Sequence, residues 1–204
     1  MTDNRPDPFE LHNVKLPDNY IPSPGSHLTN ARDCEHYLNT LQNAIELDAN
    51  SVLDIGAYDG WHAFLLELDG YEVQMVEFIP DLVKAAYRYI ETHKIKGVSI
   101  IEADWLGANI PPEKKFDIIT AYEVLEHVPL TKVPEWVAKM EYYGKRICIS
   151  LPNQDHNQNQ QHQWTPNEHI IKFLFGNKKN FRLQYREYPI NKSIPGNWFI
   201  AYDS

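Results

Sequence analysis

Strand-like and helix-like segments alternate through most of this chain, and that alternation restricts the fold more than any other feature. Ser51–Ile55 is a short apolar run that stops at a glycine-containing turn. Trp61, Phe64, Leu65 and Leu68 then share one helical face, closed by Gly70. Glu72–Phe78 reads as the next strand, followed by a helix with Leu82, Val83, Ala86, Tyr87 and Ile90. Further strands are expected at Val98–Ala103, Phe116–Tyr122 and Arg146–Leu151; Pro134 opens a helix carrying Val137 and Met140, and Pro152 ends the last of these strands. Ahead of this region, from Thr29, the residues Cys34, Tyr37, Leu38, Leu41 and Ile45 recur at helical spacing. Behind it, Thr165-Pro166-Asn167-Glu168 has the form of a capping box and precedes Ile170, Ile171, Phe173 and Leu174 on a helical face. A crossover helix returns the chain to the same edge of a sheet, so repeated strand–helix units imply parallel strands. The tail breaks the pattern, because Phe181–Ile190 and Trp198–Tyr202 are strand-like with no helix between them. The expected fold is α/β: a doubly wound, mostly parallel sheet of seven strands with a terminal antiparallel hairpin.

A length of 204 residues favours one domain. Residues 1–28 are rich in Pro, Asn and Asp and lack periodicity, so they are expected to form an extended arm or lid before a domain over 29–204. Asn153–Gln163 is almost wholly Asn, Gln, His and Asp and reads as a polar loop. The formal charge of −9 repels phosphate backbones and argues against nucleic acid as the partner; Lys94, Lys96, Lys114, Lys115, Lys178 and Lys179 are the candidates for a local basic patch. Cys34 and Cys148 lack a nearby cysteine, which argues against a disulfide framework or a cysteine zinc site and fits a reducing, cytoplasmic setting. No stretch approaches the roughly 18 apolar residues of a membrane span, and the polar start does not resemble a signal peptide.

Val52-Leu53-Asp54-Ile55-Gly56-Ala57-Tyr58-Asp59-Gly60 follows one expected strand and opens a helix. Glycines at such a turn allow close backbone approach to a ligand, and an aspartate there can pair with a ligand's ammonium group. The spacing Gly56-Ala57-Tyr58-Asp59-Gly60-Trp61 fails the fingerprint of nicotinamide-dinucleotide proteins. The segment resembles the first motif of S-adenosylmethionine (SAM)-dependent methyltransferases of class I, with Tyr58 standing where the middle glycine commonly lies. A Rossmann-like sheet closed by a hairpin is the fold that this resemblance implies. The second strand ends in Glu77-Phe78-Ile79, and a carboxylate in that place suits a ribose diol. The third runs into Asp104-Trp105, where the resemblance implies an aspartate accepting from the adenine amino group and a neighbour packed on the ring. Read without the family, Asp104 caps a helix and Trp105 belongs to the core. The cofactor set implied is Asp54, Gly56, Ala57, Tyr58, Gly60, Glu77, Phe78, Ile79, Asp104, Trp105 and Glu123.

The fourth strand leads into Glu123-Val124-Leu125-Glu126-His127. This pattern resembles two groups within the superfamily, the ubiquinone-biosynthesis O-methyltransferases and the small-RNA 2′-O-methyltransferases. In the second group both glutamates and the histidine bind a divalent cation, with a further histidine after the fifth strand; His162, before Trp164, partly matches it. The resemblance therefore implies Glu123, Glu126, His127 and His162 as ligands for Mg²⁺ or a similar cation, which would lower the pKa of an acceptor hydroxyl. Alternatively His127 acts as a general base near neutrality, with Glu126 beside it. Glu126 as a helix cap and His127 as a positioning group is the third reading. The expected substrate is a small hydroxylated metabolite, sugar or phenol, with an RNA end or a non-catalytic SAM-binding role as alternatives.

Overall fold

The computed structural model describes residues 15–153, 161–188 and 196–204. A helical turn, α1 (Pro24–His27), leads to α2 (Ala31–Leu47), whose N-cap Asn30 accepts from the Arg32 N–H. The chain then alternates through β1 (Ser51–Ile55), α3 (Trp61–Leu68), β2 (Glu72–Glu77), α4 (Pro80–His93), β3 (Val98–Glu102) and β4 (Phe116–Tyr122). A 3₁₀ turn at Leu125–His127 precedes α5 (Val133–Tyr143) and β5 (Gly144–Pro152), and α6 (Glu168–Phe175) precedes the hairpin β6 (Lys179–Arg186) and β7 (Asn197–Asp203). The order β3-β2-β1-β4-β5-β7-β6 forms a seven-stranded sheet, parallel from β3 to β5, with β7 antiparallel to both β5 and β6. The expected fold class is therefore observed.

Both faces of the central strands are covered, which is why β1, β4 and β5 read as largely apolar runs rather than as a strict apolar–polar alternation. Successive side chains alternate between faces. Leu53 and Ile119 join the core under α5 and α6, with Trp136, Met140 and Phe175, while Val52 and Ile118 join the core under α3 and α4, with Phe64 and Ala86. Strand order reverses between β1 and β4. In such a sheet the carboxyl ends diverge at that point and leave a crevice.

Several local expectations are corrected. In α2, Leu38 and Ile45 are exposed (50% and 76%), and the buried stripe is Asp33, His36, Thr40, Asn43 and Ala44. The capping box does not form, because Asn167, not Thr165, is the N-cap of α6 and accepts from the Ile170 N–H at 3.0 Å. Residues 15–28 are not simply extended. Tyr20 donates to Asp59 at 2.6 Å, and the Tyr20 carbonyl accepts from Arg88, so this segment is strapped across the turn after β1. The rest of the arm (1–14), most of the polar loop (154–160) and residues 189–195 lie outside the described residues. Cys34 and Cys148 are free thiols, and among the described residues no helix is long and apolar enough to cross a membrane.

Candidate functional site

The crevice above the strand reversal is a two-lobed cleft. Its first lobe, about 360 Å³, has walls from α1 and α2 (His27, Arg32, Asp33, His36), from Asp54, Gly56, Ala57 and Tyr58, from Trp61 and His62, and from Tyr122 and Glu123. The second, about 430 Å³, is more apolar and is walled by Glu77, Phe78, Ile79, Leu82, Val124, His127, Val128 and Trp136. Arg32, Gly56, Tyr58 and Glu123 border both lobes.

The turn after β1 separates the lobes because its backbone is left-handed at Gly56 (φ 67°), Tyr58 (φ 56°) and Gly60 (φ 88°). Glycine is required at residue 56 for a reason beyond ligand approach: a Cβ there would stand 2.5 Å from Cγ2 of Val124, in the turn after β4. Tyr58 adopts a conformation that suits glycine and keeps its ring half exposed. Glu77 braces the same turn from β2. Its carboxylate accepts from the Tyr58 N–H at 3.0 Å, the Phe78 N–H at 2.8 Å and the Ile79 N–H at 2.9 Å. Burial raises its pKa against the pull of those three donors. A carboxylate offers about four acceptor positions, so the brace leaves room for a ligand hydroxyl.

Asp54, 4% exposed at the end of β1, accepts from the Thr120 hydroxyl at 2.6 Å and faces Nδ1 of His62 at 3.2 Å. Across the cleft, Glu123 is another non-glycine residue with positive φ (56°). It accepts from Ser150 at 3.0 Å and Asn197 at 2.6 Å and lies 3.8 Å from the Arg32 guanidinium. Burial pushes its carboxyl up to about 7, although Arg32, Ser150 and Asn197 pull it down.

Glu126 is 1% exposed, and neither of its carboxylate oxygens has a hydrogen-bond partner. Burial, followed by the charge of Glu123, raises its pKa well above the ordinary carboxylate range. Its Oε1 is 3.8 Å from Nε2 of His127. His127 Nδ1 lies 3.2 Å from the Gln161 carbonyl, and the His162 ring stands edge-on to it at 5.1 Å between centroids. One ligand atom from each of Glu126, His127 and His162 falls within 4.8 Å of the others. A buried carboxylate with no side-chain hydrogen bond, beside two imidazoles, fits a divalent cation. Glu123 stands outside this cluster, because Ser150 and Asn197 hold its carboxylate elsewhere, which corrects the expectation of it as a fourth ligand.

The remaining candidates separate. Phe78 and Ile79 line the second lobe and Ala57 the first, whereas Gly60 opens α3 and packs on Phe64. Asp104 and Trp105 form neither lobe. Asp104 accepts from the Leu106 N–H at 3.0 Å within its own turn. Trp105 is 1% exposed and donates its indole N–H to the Trp136 carbonyl, so its ring offers no face to a ligand; the expectation that it stacks on adenine is corrected. Sequence reasoning missed Arg32, Asp33, His36, His62 and Tyr122. The available signal was the polar spacing Asp33, His36, Thr40, Asn43, which puts four polar groups on one face of a helix.

Comparison with known proteins agrees with this architecture. Residues 27–182 match a family described as "Methyltransferase domain". The protein-L-isoaspartate O-methyltransferase of Pyrococcus abyssi (strain GE5 / Orsay) is 32% identical over 102 residues, which are 50% of this chain and 44% of that protein. The chain thus spans less than half the length of the curated relatives it matches. Among solved structures, the N-methyltransferase NodS from Bradyrhizobium japonicum WM9 superposes with a TM-score of 0.70 at 14% identity, covering 87% of this chain and 98% of that one. The N-terminal domain of EvdMO1, solved with S-adenosylhomocysteine (SAH) bound, gives 0.64 at 13% identity, covering 83% and 81%. At such identities the structural likeness speaks for the fold, and the family match speaks for kinship. The chain belongs to the methyltransferase-domain family and has the class I fold of its SAM-dependent members.

Proposed function

We propose that this protein transfers the methyl group of SAM to a hydroxyl oxygen of a small metabolite, sugar or phenol. The observation that supports the reading is the His127 imidazole in the wall of the cleft, with Nδ1 3.2 Å from the Gln161 carbonyl. A carbonyl can only accept, so in this reading the ring proton sits on Nδ1 and Nε2 acts as the base. SAM supplies a methyl group activated by a positively charged sulfur. Asp54 would pair with its ammonium group and Glu77 would accept from its ribose. The acceptor oxygen gains the methyl group, the sulfur becomes a neutral thioether, and the hydroxyl proton passes to His127 Nε2. Glu126, when ionised, steadies the resulting imidazolium.

A second reading has its own support in the unpartnered carboxylate of Glu126. Glu126, His127 and His162 would hold a divalent cation, whose chemistry there is to acidify the acceptor hydroxyl. One experiment separates the two. Turnover of a panel of hydroxylated acceptors with labelled SAM is measured with and without a chelator, for wild type, His127→Ala and Glu126→Gln. The base reading expects activity that survives chelation and falls about 10²–10⁴-fold in His127→Ala. Loss of activity in the chelator, restored by Mg²⁺ or Mn²⁺, supports the cation. No transfer to any hydroxyl, with transfer to amines instead, rejects O-methylation.

A further inference from the structure

Two buried histidines, His36 and His62, line the first lobe, and one of them meets the carboxylate of Asp54. His62, 3% exposed on the first turn of α3, is held on every side. Its Nδ1 faces Asp54 Oδ2 at 3.2 Å and its Nε2 faces the Thr40 hydroxyl at 3.1 Å. Thr40, fully buried on α2, is in turn 2.8 Å from the Tyr122 hydroxyl, which accepts from the Asn39 amide at 2.9 Å. The rings of Trp61 and Tyr122 flank the imidazole, with centroids at 5.3 and 5.5 Å.

We infer that His62 is a positioning residue for the Asp54 carboxylate, acting through a hydrogen-bonded chain that runs from α2 across the cleft floor. The inference rests on the reading of Asp54 as partner of the cofactor's ammonium group. An ionised carboxylate only accepts, so Nδ1–H of His62 donates to Asp54 whether or not the ring is protonated. Thr120 donates to the other oxygen at 2.6 Å. Both oxygens are thereby anchored, the plane of the group is fixed, and about two acceptor positions remain for a ligand in the lobe whose wall Asp54 forms. A carboxylate that is only 4% exposed cannot rely on water to orient it. Thr40 and the flanking rings do for His62 what His62 does for Asp54, which ties the cofactor's partner to the placement of α2. His62 touches no reacting atom in this account.

The test uses SAM affinity, measured by calorimetry on the folded full chain, with steady-state kinetics beside it. An asparagine at residue 62 places its amide nitrogen near the position of Nδ1 and keeps the donor to Asp54. A glutamine places its amide near Nε2 and keeps only the Thr40 contact. His62→Asn should bind SAM within about twofold of wild type, and His62→Gln and His62→Ala about tenfold more weakly, with KM for SAM rising and kcat little changed. On an Asp54→Ala background, His62→Ala should cost nothing further. Equal affinity in wild type, His62→Gln and His62→Ala overturns the inference, as does a full additional loss in the double variant. If wild type binds SAM and Asp54→Ala binds it equally well, the assignment of Asp54 falls, and the inference with it. Should His62→Ala fail to fold, the contrast between asparagine and glutamine decides the matter alone.

Discussion

Two carboxylates, Glu123 on the cleft wall and Glu126 buried behind it, make protonation part of the stability of this protein. The Glu123 carboxyl is pushed up to about 7 from its ordinary 4.5, chiefly by burial. A raised pKa means that the folded state binds the proton more tightly than the unfolded chain. The resulting stability is complete below about pH 4.5 and is lost as pH rises through about 7. Glu126 is shifted in the same direction. Glu123→Gln should therefore gain about 2–3 kcal/mol over wild type at alkaline pH, with thermal unfolding from pH 5 to 9 as the check; parallel curves would contradict it. A cation at Glu126 needs the ionised carboxylate, so any stabilisation by added Mn²⁺ should grow with pH. At Gly56 the constraint is steric. Gly56→Ala should cost about 2–4 kcal/mol, because a left-handed alanine is strained and its Cβ meets Val124. Adding Val124→Ala should restore part of the loss in urea unfolding, whereas an unchanged deficit would leave backbone strain as the whole cause.

Between elements, Arg146 joins the sheet to the helix that roofs the first lobe. From β5 its guanidinium reaches Asp203 on β7 at 2.8 Å and Glu46 on α2 at 2.8 Å. Arg146→Ala removes both ion pairs and should cost about 2–3 kcal/mol in urea unfolding; a change within about 0.5 kcal/mol would mean that the pairs are solvated and idle. The same helix shows where the sequence stops being legible. Strands and their order of appearance could be read because buried parallel strands demand mostly apolar runs such as Val52–Ile55 and Ile118–Ala121, each interrupted by a single polar residue, Asp54 or Thr120. In α2 the apolar spacing pointed to Leu38 and Ile45, which face solvent, while Asp33 and His36 line the cleft and Thr40 lies buried against His62 and Tyr122. Periodicity identifies a buried face only when what lies beneath it is apolar. Here it is a site, so the rule inverts. The positions of Asp54, Glu77 and His127 beside the cleft could be read because Asp54 and Glu77 lie at the carboxyl ends of β1 and β2 and His127 lies in the turn after β4. Trp105 was not, because its indole turns toward Trp136 and only tertiary packing decides that. His62 was hidden for the same reason, since a histidine six residues beyond Gly56 has meaning only once Asp54 and Thr40 meet it.

For the whole molecule, the reversal of strand order between β1 and β4 gathers these groups at one rim, and the formal charge of −9 gives the expectation that polyanions are repelled. Binding to a generic single-stranded RNA at physiological salt is expected to be undetectable in a filter assay; retention that weakens steeply with added salt would point instead to a local basic surface. Within the cleft the account requires one occupant above all others. Titration of wild-type protein with SAM and, separately, with SAH tests this most directly. The predicted result is saturable one-to-one binding of both ligands that is weakened at least tenfold in Asp54→Ala and in Glu77→Ala, while NADH gives no heat. Binding of NADH in place of SAM, or SAM affinity indifferent to both carboxylates, would contradict the account.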